Sequence, residues 1–315
     1  MCILNANEQR SIRVGVVGVG HLGKEHARVY AQLPGCTLVG VVDADAKAAE
    51  AVARKCGCRS FLSAEALAAE VEAVSVVVPT VAHHSVATPF LARGTDVFIE
   101  KPIAETTAQA EALVTLAREK GALLQVGHIE RFNPVLSYLE ENLHEPKFIE
   151  AHRLSPYPGR GTDVSVVLDL MIHDIDVILH LVRSPLVSFD AVGVAVLSAS
   201  EDIANVRLKF ANGCVANITT SRISPEKLRK VRVFAADRYI SLDYQSQEGK
   251  VYWKDGASIR QEKVPVARDE PLKLELAAFL ESVRHRSTPK VSGEQGKRAL
   301  DVAVAIVQRI RSGGA

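Results

Sequence analysis

The chain is 315 residues long, 47% hydrophobic and 24% charged, with a formal net charge of +1. That length admits two domains with real cores, and the composition is that of a globular chain without long disordered regions. A charge this close to zero excludes nucleic acid or a membrane surface held by bulk electrostatics, and no apolar run approaches the ~20 residues needed to span a bilayer.

The opening segment, "MCILNANEQRSIR", lacks the extended apolar core of a signal peptide, so a cytoplasmic protein is expected. Strands and helices then alternate through about residue 126. The apolar run "IRVGVVG" precedes the helically spaced "HLGKEHARVYAQL", and "TLVGVVD" precedes the Ala-rich "ADAKAAEAVARKC". The strands "AVSVVV", "TDVFIE" and "ALLQVG" follow, separated by "HHSVATPFLARG" and "TTAQAEALVTLAREKG". This alternation predicts a parallel sheet with helical crossovers. Five cysteines, of which only Cys56 and Cys58 are close, form no even framework and lack histidines at zinc spacing, so reduced thiols and no metal are expected.

Between the first strand and the first helix lies "GVGHLG". Gly18 permits a tight turn, Gly20 lets the backbone approach a pyrophosphate, and Gly23 lets the helix pack on the strand. With His21 and Leu22 these residues form the entry to a helix whose N-terminal amides and dipole favour phosphate. Asp43 ends the second strand, where a carboxylate accepts from a free ribose 2′-hydroxyl and repels a 2′-phosphate, so NAD rather than NADP is expected. A plain strand-end turn is the competing reading for Asp43.

"PTVAHH" follows the fourth main strand and "EKP", Glu100 to Pro102, the fifth. Lys101 thus stands at the carboxyl end of a parallel strand, the edge at which open α/β sheets bind ligands. Further on, "GHIERFNP" holds Glu130, Arg131 and Asn133, and "HRLSPYPGRG" holds Arg153 and Arg160. Guanidinium groups suit diphosphate oxygens and an amide suits sugar hydroxyls, although each could equally be an ordinary structural charge. The apolar segment "VVLDLMIHDIDVILHLV" carries Asp169, His173, Asp176 and His180 at spacings that put them on one helical face. A solvated face is the bland alternative, but Asp and His are residues that move protons. Two ligands one turn apart make only half a metal site, and no third stands out. β-like runs then follow from "KFIEAHRL" to "KVYWKD", with "NG", "DR" and "EG" turns, before two terminal helical segments.

The glycine turn, P-T-x-x-H at Pro79 to His83, E-K-P, and D-x-x-x-H-D at Asp169 to Asp174, in this order, resemble the glucose–fructose oxidoreductase / inositol dehydrogenase / MocA family. "QVGHIERFNPVL" and "DVSVVLDLMIHDID" are similar to its subgroup that oxidises the sugar 3-hydroxyl of UDP-N-acetylglucosamine. The resemblance implies a Rossmann NAD-binding domain over residues 1–126. It also implies an α+β domain over 127–315 with a large, mostly antiparallel sheet, used for substrate binding and oligomerisation as a dimer or tetramer. It further implies that Pro79, Thr80, His83, Glu100 and Lys101 join the glycine turn and Asp43 at the cofactor, and that Lys101, His173 and Asp169 carry the chemistry. In that subgroup the 3-keto product feeds a transaminase. Oxidation of an alcohol needs a proton acceptor and a positive charge near the oxygen; His173 or Lys101 takes the proton, with Asp169 orienting the imidazole. The alternatives are a dehydrogenase of another sugar or cyclitol (inositol, an aldose, a deoxysugar nucleotide) and a non-catalytic NAD-binding sensor.

Overall fold

The computed structural model describes residues 10–157 and 164–313, and the chain divides into two compact units, Met1–His128 with Leu272–Lys297 and Ile129–Pro271 with Arg298–Ala315.

In the first unit β1 (Ile12–Val17), α1 (Gly23–Tyr30), β2 (Cys36–Val42), α2 (Ala46–Cys56), β3 (Arg59–Ser60), α3 (Ala64–Ala68) and β4 (Ala73–Val76) follow one another. α4 (Thr80–Ala92), β5 (Asp96–Glu100), α5 (Thr107–Lys120) and β6 (Leu124–Gly127) complete the run. The strands form one parallel sheet in the order β3-β2-β1-β4-β5-β6. β1, β4, β5 and β6 are buried on both faces over most of their length, as a sheet covered by helices requires. Local chemistry sets the helix ends. Asp45 accepts from the amides of Lys47 and Ala48 at the start of α2, and Thr106 with Gln109 forms a capping box on α5. Gly57 and Gly121 close the same helices in the left-handed conformation. The sequence reading passed over β3 and α3, which at two and five residues are too short to show a periodicity.

The second unit holds a 3₁₀ turn (Ile129–Phe132), α6 (Pro134–Asn142), β7 (Phe148–Leu154), a π-helical turn (Val167–Met171) and α7 (Ile172–Val182). β8 (Leu186–Val194), β9 (Ile203–Phe210), β10 (Val215–Ser221), β11 (Leu228–Phe234), β12 (Arg238–Asp243), β13 (Glu248–Asp255) and β14 (Ser258–Lys263) follow. They make an eight-stranded sheet in the order β14-β13-β12-β11-β7-β10-β9-β8, antiparallel except where β10 runs parallel to β7. Alternate residues such as Ile149 and Ala151, Val206 and Leu208, or Val231 and Val233 point into one core with Ile172, Ile175 and Ile178 of α7. β14 escaped the sequence reading because "SIRQEK" is exposed along its whole length; it is a charged edge strand with no buried face to alternate.

Two helices end the chain, α8 (Pro271–His285) and α9 (Gly293–Arg311). Here the structure differs from the expected division at residues 126 and 127. Leu276, Phe279, Leu280 and Val283 of α8 belong to the core of the first unit, with Phe279 edge-on to Phe98 at 5.9 Å. The apolar stripe of α8 covers the parallel sheet, so the first unit is assembled from two distant stretches of sequence. α9 is shared, its first residues counted with the first unit and Ala299, Ala303, Ile306 and Val307 with the core of the second.

Candidate active site

Three glycines shape the turn after β1. Gly18 has φ +88°, and a Cβ there would lie 2.5 Å from the Val77 carbonyl oxygen. A Cβ on Gly23 would lie 1.8 Å from the carbonyl oxygen of Gly18, so this contact closes the turn against α1. Gly20 differs: it is exposed, and nothing stands within 4 Å of where its Cβ would be. His21 and Leu22 beside it are also exposed. The turn is therefore locked at both ends and open in the middle, the shape that admits a pyrophosphate to the backbone. Asp43 is half-buried at the end of β2; its Oδ2 accepts from the Val19 amide at 2.7 Å and its Oδ1 from the Asp45 amide at 2.9 Å. Each oxygen keeps lone-pair capacity for a ribose hydroxyl. These residues fit NAD.

At the end of β5, Glu100 and Lys101 lead into a cis peptide bond at Pro102. Glu100 Oε1 accepts from His26 Nε2 of α1 at 3.1 Å, and Oε2 accepts from the Lys101 amide at 3.3 Å. Burial would raise the Glu100 carboxyl, but the His26 bond and the Lys101 charge outweigh it and hold the group below the usual carboxylate range. Lys101 itself is part-exposed. His83 does not stand open to a ligand as expected. It is buried, with Nδ1 2.8 Å from the Pro102 carbonyl and Nε2 2.9 Å from the Val78 carbonyl, and burial holds its pKa below the ordinary value. Its place is that of a brace under the Glu100–Pro102 turn, while Pro79 is exposed and Thr80 begins α4.

In the second unit Asp169 lies within the π turn and His173 in the first turn of α7, and both are part-exposed. The wider π turn breaks the 3.6-residue phase on which the four-residue stripe was read. Asp176, expected on the polar face, and Asp174 are each only 3% exposed. Asp174 accepts from Arg153 Nε at 2.7 Å and Nη2 at 3.1 Å, while Arg153 Nη1 donates to Glu130 at 3.0 Å. Arg131 lies 3.5 Å from Asp176, and Arg229 4.0 Å from Glu130. Burial works against the Arg153 charge, but Asp174 and Glu130 overcome it and raise its pKa. Asn133 caps α6, accepting from Val135 and donating to the Tyr244 carbonyl at 3.0 Å. Glu130, Arg131, Asn133 and Arg153 were expected to meet substrate. In the structure these four side chains are buried and bonded to one another or to Asp174, Asp176 and Tyr244; Arg160, expected beside them, lies outside the described residues.

Gly127 is a residue the sequence reading missed, and His26 of "GKEHA", expected only to pack α1, stands against Glu100. The available signal was the position of His26 three residues after Gly23, which turns it inward on α1.

Residues 12–128 match the oxidoreductase family with an NAD-binding Rossmann fold, and residues 143–240 match the GFO/IDH/MocA C-terminal domain. The UDP-N-acetylglucosamine 3-dehydrogenase of Acidithiobacillus ferrooxidans is 38% identical over 302 residues, 94% of this chain and 96% of that protein. The chain belongs to the GFO/IDH/MocA oxidoreductase family. A solved structure of that A. ferrooxidans enzyme superposes with a TM-score of 0.93, covering 96% of this chain and 98% of the other at 37% identity. The scyllo-inositol 2-dehydrogenase (NAD(+)) of Bacillus subtilis is 24% identical over 97% of this chain and 96% of its own. Levoglucosan dehydrogenase, solved with NADH and levoglucosan, shares the fold with a TM-score of 0.88 over 96% of this chain and 98% of its own at 18% identity. The family, the two-part α/β architecture, the oxidoreductase class and the NAD cofactor expected from the sequence all stand. Among the described residues, no helix is long and apolar enough to cross a membrane.

Proposed function

We propose that the protein oxidises the 3-hydroxyl of UDP-N-acetylglucosamine to the 3-keto nucleotide sugar. The observation that carries this reading is the 38% identity over 94% of this chain to a protein named for that reaction, against 24% over 97% of this chain to an inositol dehydrogenase.

NAD+ supplies the hydride acceptor when bound, and the chain must handle the hydroxyl proton. His173 takes that proton, with Asp169 in the preceding turn holding the ring and stabilising its charge. The role assigned to Lys101 is stabilisation of a developing alkoxide by its ammonium charge. The part exposure of Lys101, Asp169 and His173 supports this assignment. Arg160, with Arg131 and Arg153, is a guanidinium candidate for the diphosphate. A 3-ketone is the substrate a transaminase needs to install a 3-amino group, so an enzyme of that class is the proposed consumer.

The protein is further proposed to work as a homo-oligomer through the sheet of the second unit. Phe148, Phe234, Tyr239 and Tyr252 line up across four neighbouring strands, with ring centroids 5.7, 4.9 and 4.5 Å apart. These part-exposed rings lie on the face opposite Ile149 and Ala151, and sedimentation at micromolar concentration tests the assignment.

The function is tested by NADH formation from NAD+ with UDP-N-acetylglucosamine, its uronic acid, UDP-glucose, inositol and free aldoses. A glutamate-dependent transaminase acting on 3-keto amino sugars should be present to draw off the ketone. Signal confined to UDP-N-acetylglucosamine is the expected outcome. Signal from a cyclitol or free sugar discards the substrate while keeping the chemistry.

A further inference from the structure

Two residues without an assigned role enclose Glu100. His26 is fully buried, and its ring packs edge-on to Phe98 at 5.3 Å. A carboxylate only accepts, so the 3.1 Å contact to Glu100 puts the hydrogen on Nε2. Nδ1 is then left buried without a hydrogen-bond partner. Phenylalanine would fill this space and strand no nitrogen, so packing alone does not select histidine here. Gly127, the sheet partner of Glu100 on β6, also stands against this carboxylate. A Cβ at Gly127 would come within 3.0 Å of Cδ and both carboxylate oxygens of Glu100. The same carboxylate takes the amide of Lys101 at 3.3 Å.

We infer that His26 and Gly127 form a seat that clamps the Glu100 carboxylate and through it fixes the direction in which Lys101 projects, which makes His26 a positioning residue. The inference rests on the role proposed for Lys101 above. The titratable groups facing Glu100 are His26 from α1, Lys101 next in the chain and His83 from α4. Removing the His26 donor leaves burial as the dominant influence, so the carboxyl should titrate at higher pH.

The test uses the full chain with His26→Phe, His26→Gln and Gly127→Ala. Three quantities are read: kcat, NADH affinity, and the ¹³C titration of the Glu100 carboxyl assigned through Glu100→Gln. Losing a hydrogen bond to a charged group corresponds to a fall of about 10- to 100-fold, expected in kcat for His26→Phe, while NADH affinity stays within about threefold. The Glu100 titration should move from below the usual range to above it. His26→Gln, which restores an amide donor, should recover most of the turnover, and Gly127→Ala should lower kcat by displacing the carboxylate. An unmoved Glu100 titration, unchanged kcat in His26→Phe, or equal losses in the Phe and Gln variants would overturn the seat. If the wild-type protein oxidises none of the sugars while the titration still moves as expected, the substrate reading fails and the seat stands.

Discussion

Lys101 stands part-exposed beside an ionised Glu100, whereas Arg153, of the same charge and equally suited to an anion on paper, is buried against two carboxylates. Residue type alone does not separate these cases; burial does. Lys101→Ala should therefore keep NADH binding, read by fluorescence titration, while kcat falls by about 10²–10³. Arg153→Leu should instead lower stability by about 3–5 kcal/mol in urea, because Glu130 and Asp174 are left buried without their cation. Asp202 gives a prediction with a pH sign. It accepts from the amides of Val196, Leu197 and Ser198 and from the side chains of Ser198 and Arg222. Burial would raise its pKa, but these donors hold it well below the usual carboxylate range. A depressed folded pKa contributes stability above the unfolded value that is lost as pH falls through the folded one. Asp202→Asn should cost about 3–5 kcal/mol at pH 7, a gap that narrows below pH ~4 in urea melts of the two proteins.

Among the elements, the glycine turn was legible because each glycine answers to one steric demand, two of them to backbone oxygens in the way of a Cβ. The two kinds of glycine should separate experimentally. Gly23→Ala meets the Gly18 carbonyl and should lower the melting temperature, whereas Gly20→Ala meets nothing and should melt like wild type while weakening NADH binding. The helix carrying Asp169 and His173 was legible in its apolar face but not in its polar one. A π turn shifts the phase there, and nothing in the spacing of "DLMIHDID" announces it. The surroundings of the "GHIERFNP" segment were not legible for a related reason: Glu130 accepts from the Arg153 guanidinium of β7, Arg131 faces the Asp176 carboxylate of α7 and Asn133 donates to the Tyr244 carbonyl, partners far away in the sequence.

For the whole molecule, the parallel and antiparallel sheets followed from alternation of strands with helices and then of strands with turns. The return of α8 to the first unit did not, because an amphipathic stripe states that a helix is covered and not by what. Phe279 packs on Phe98 although 180 residues separate them in the numbering. Phe279→Ala should therefore destabilise the NAD-binding unit by about 3–5 kcal/mol and reduce NADH binding on warming before the second unit melts. The central claim is hydride removal from carbon 3 of the amino sugar. It is tested most directly with UDP-N-acetylglucosamine carrying deuterium at that carbon, by mass analysis of the reduced cofactor. The account predicts one deuterium in the NADH formed; unlabelled NADH, or no reduction at all with a transaminase drawing off the ketone, would contradict it.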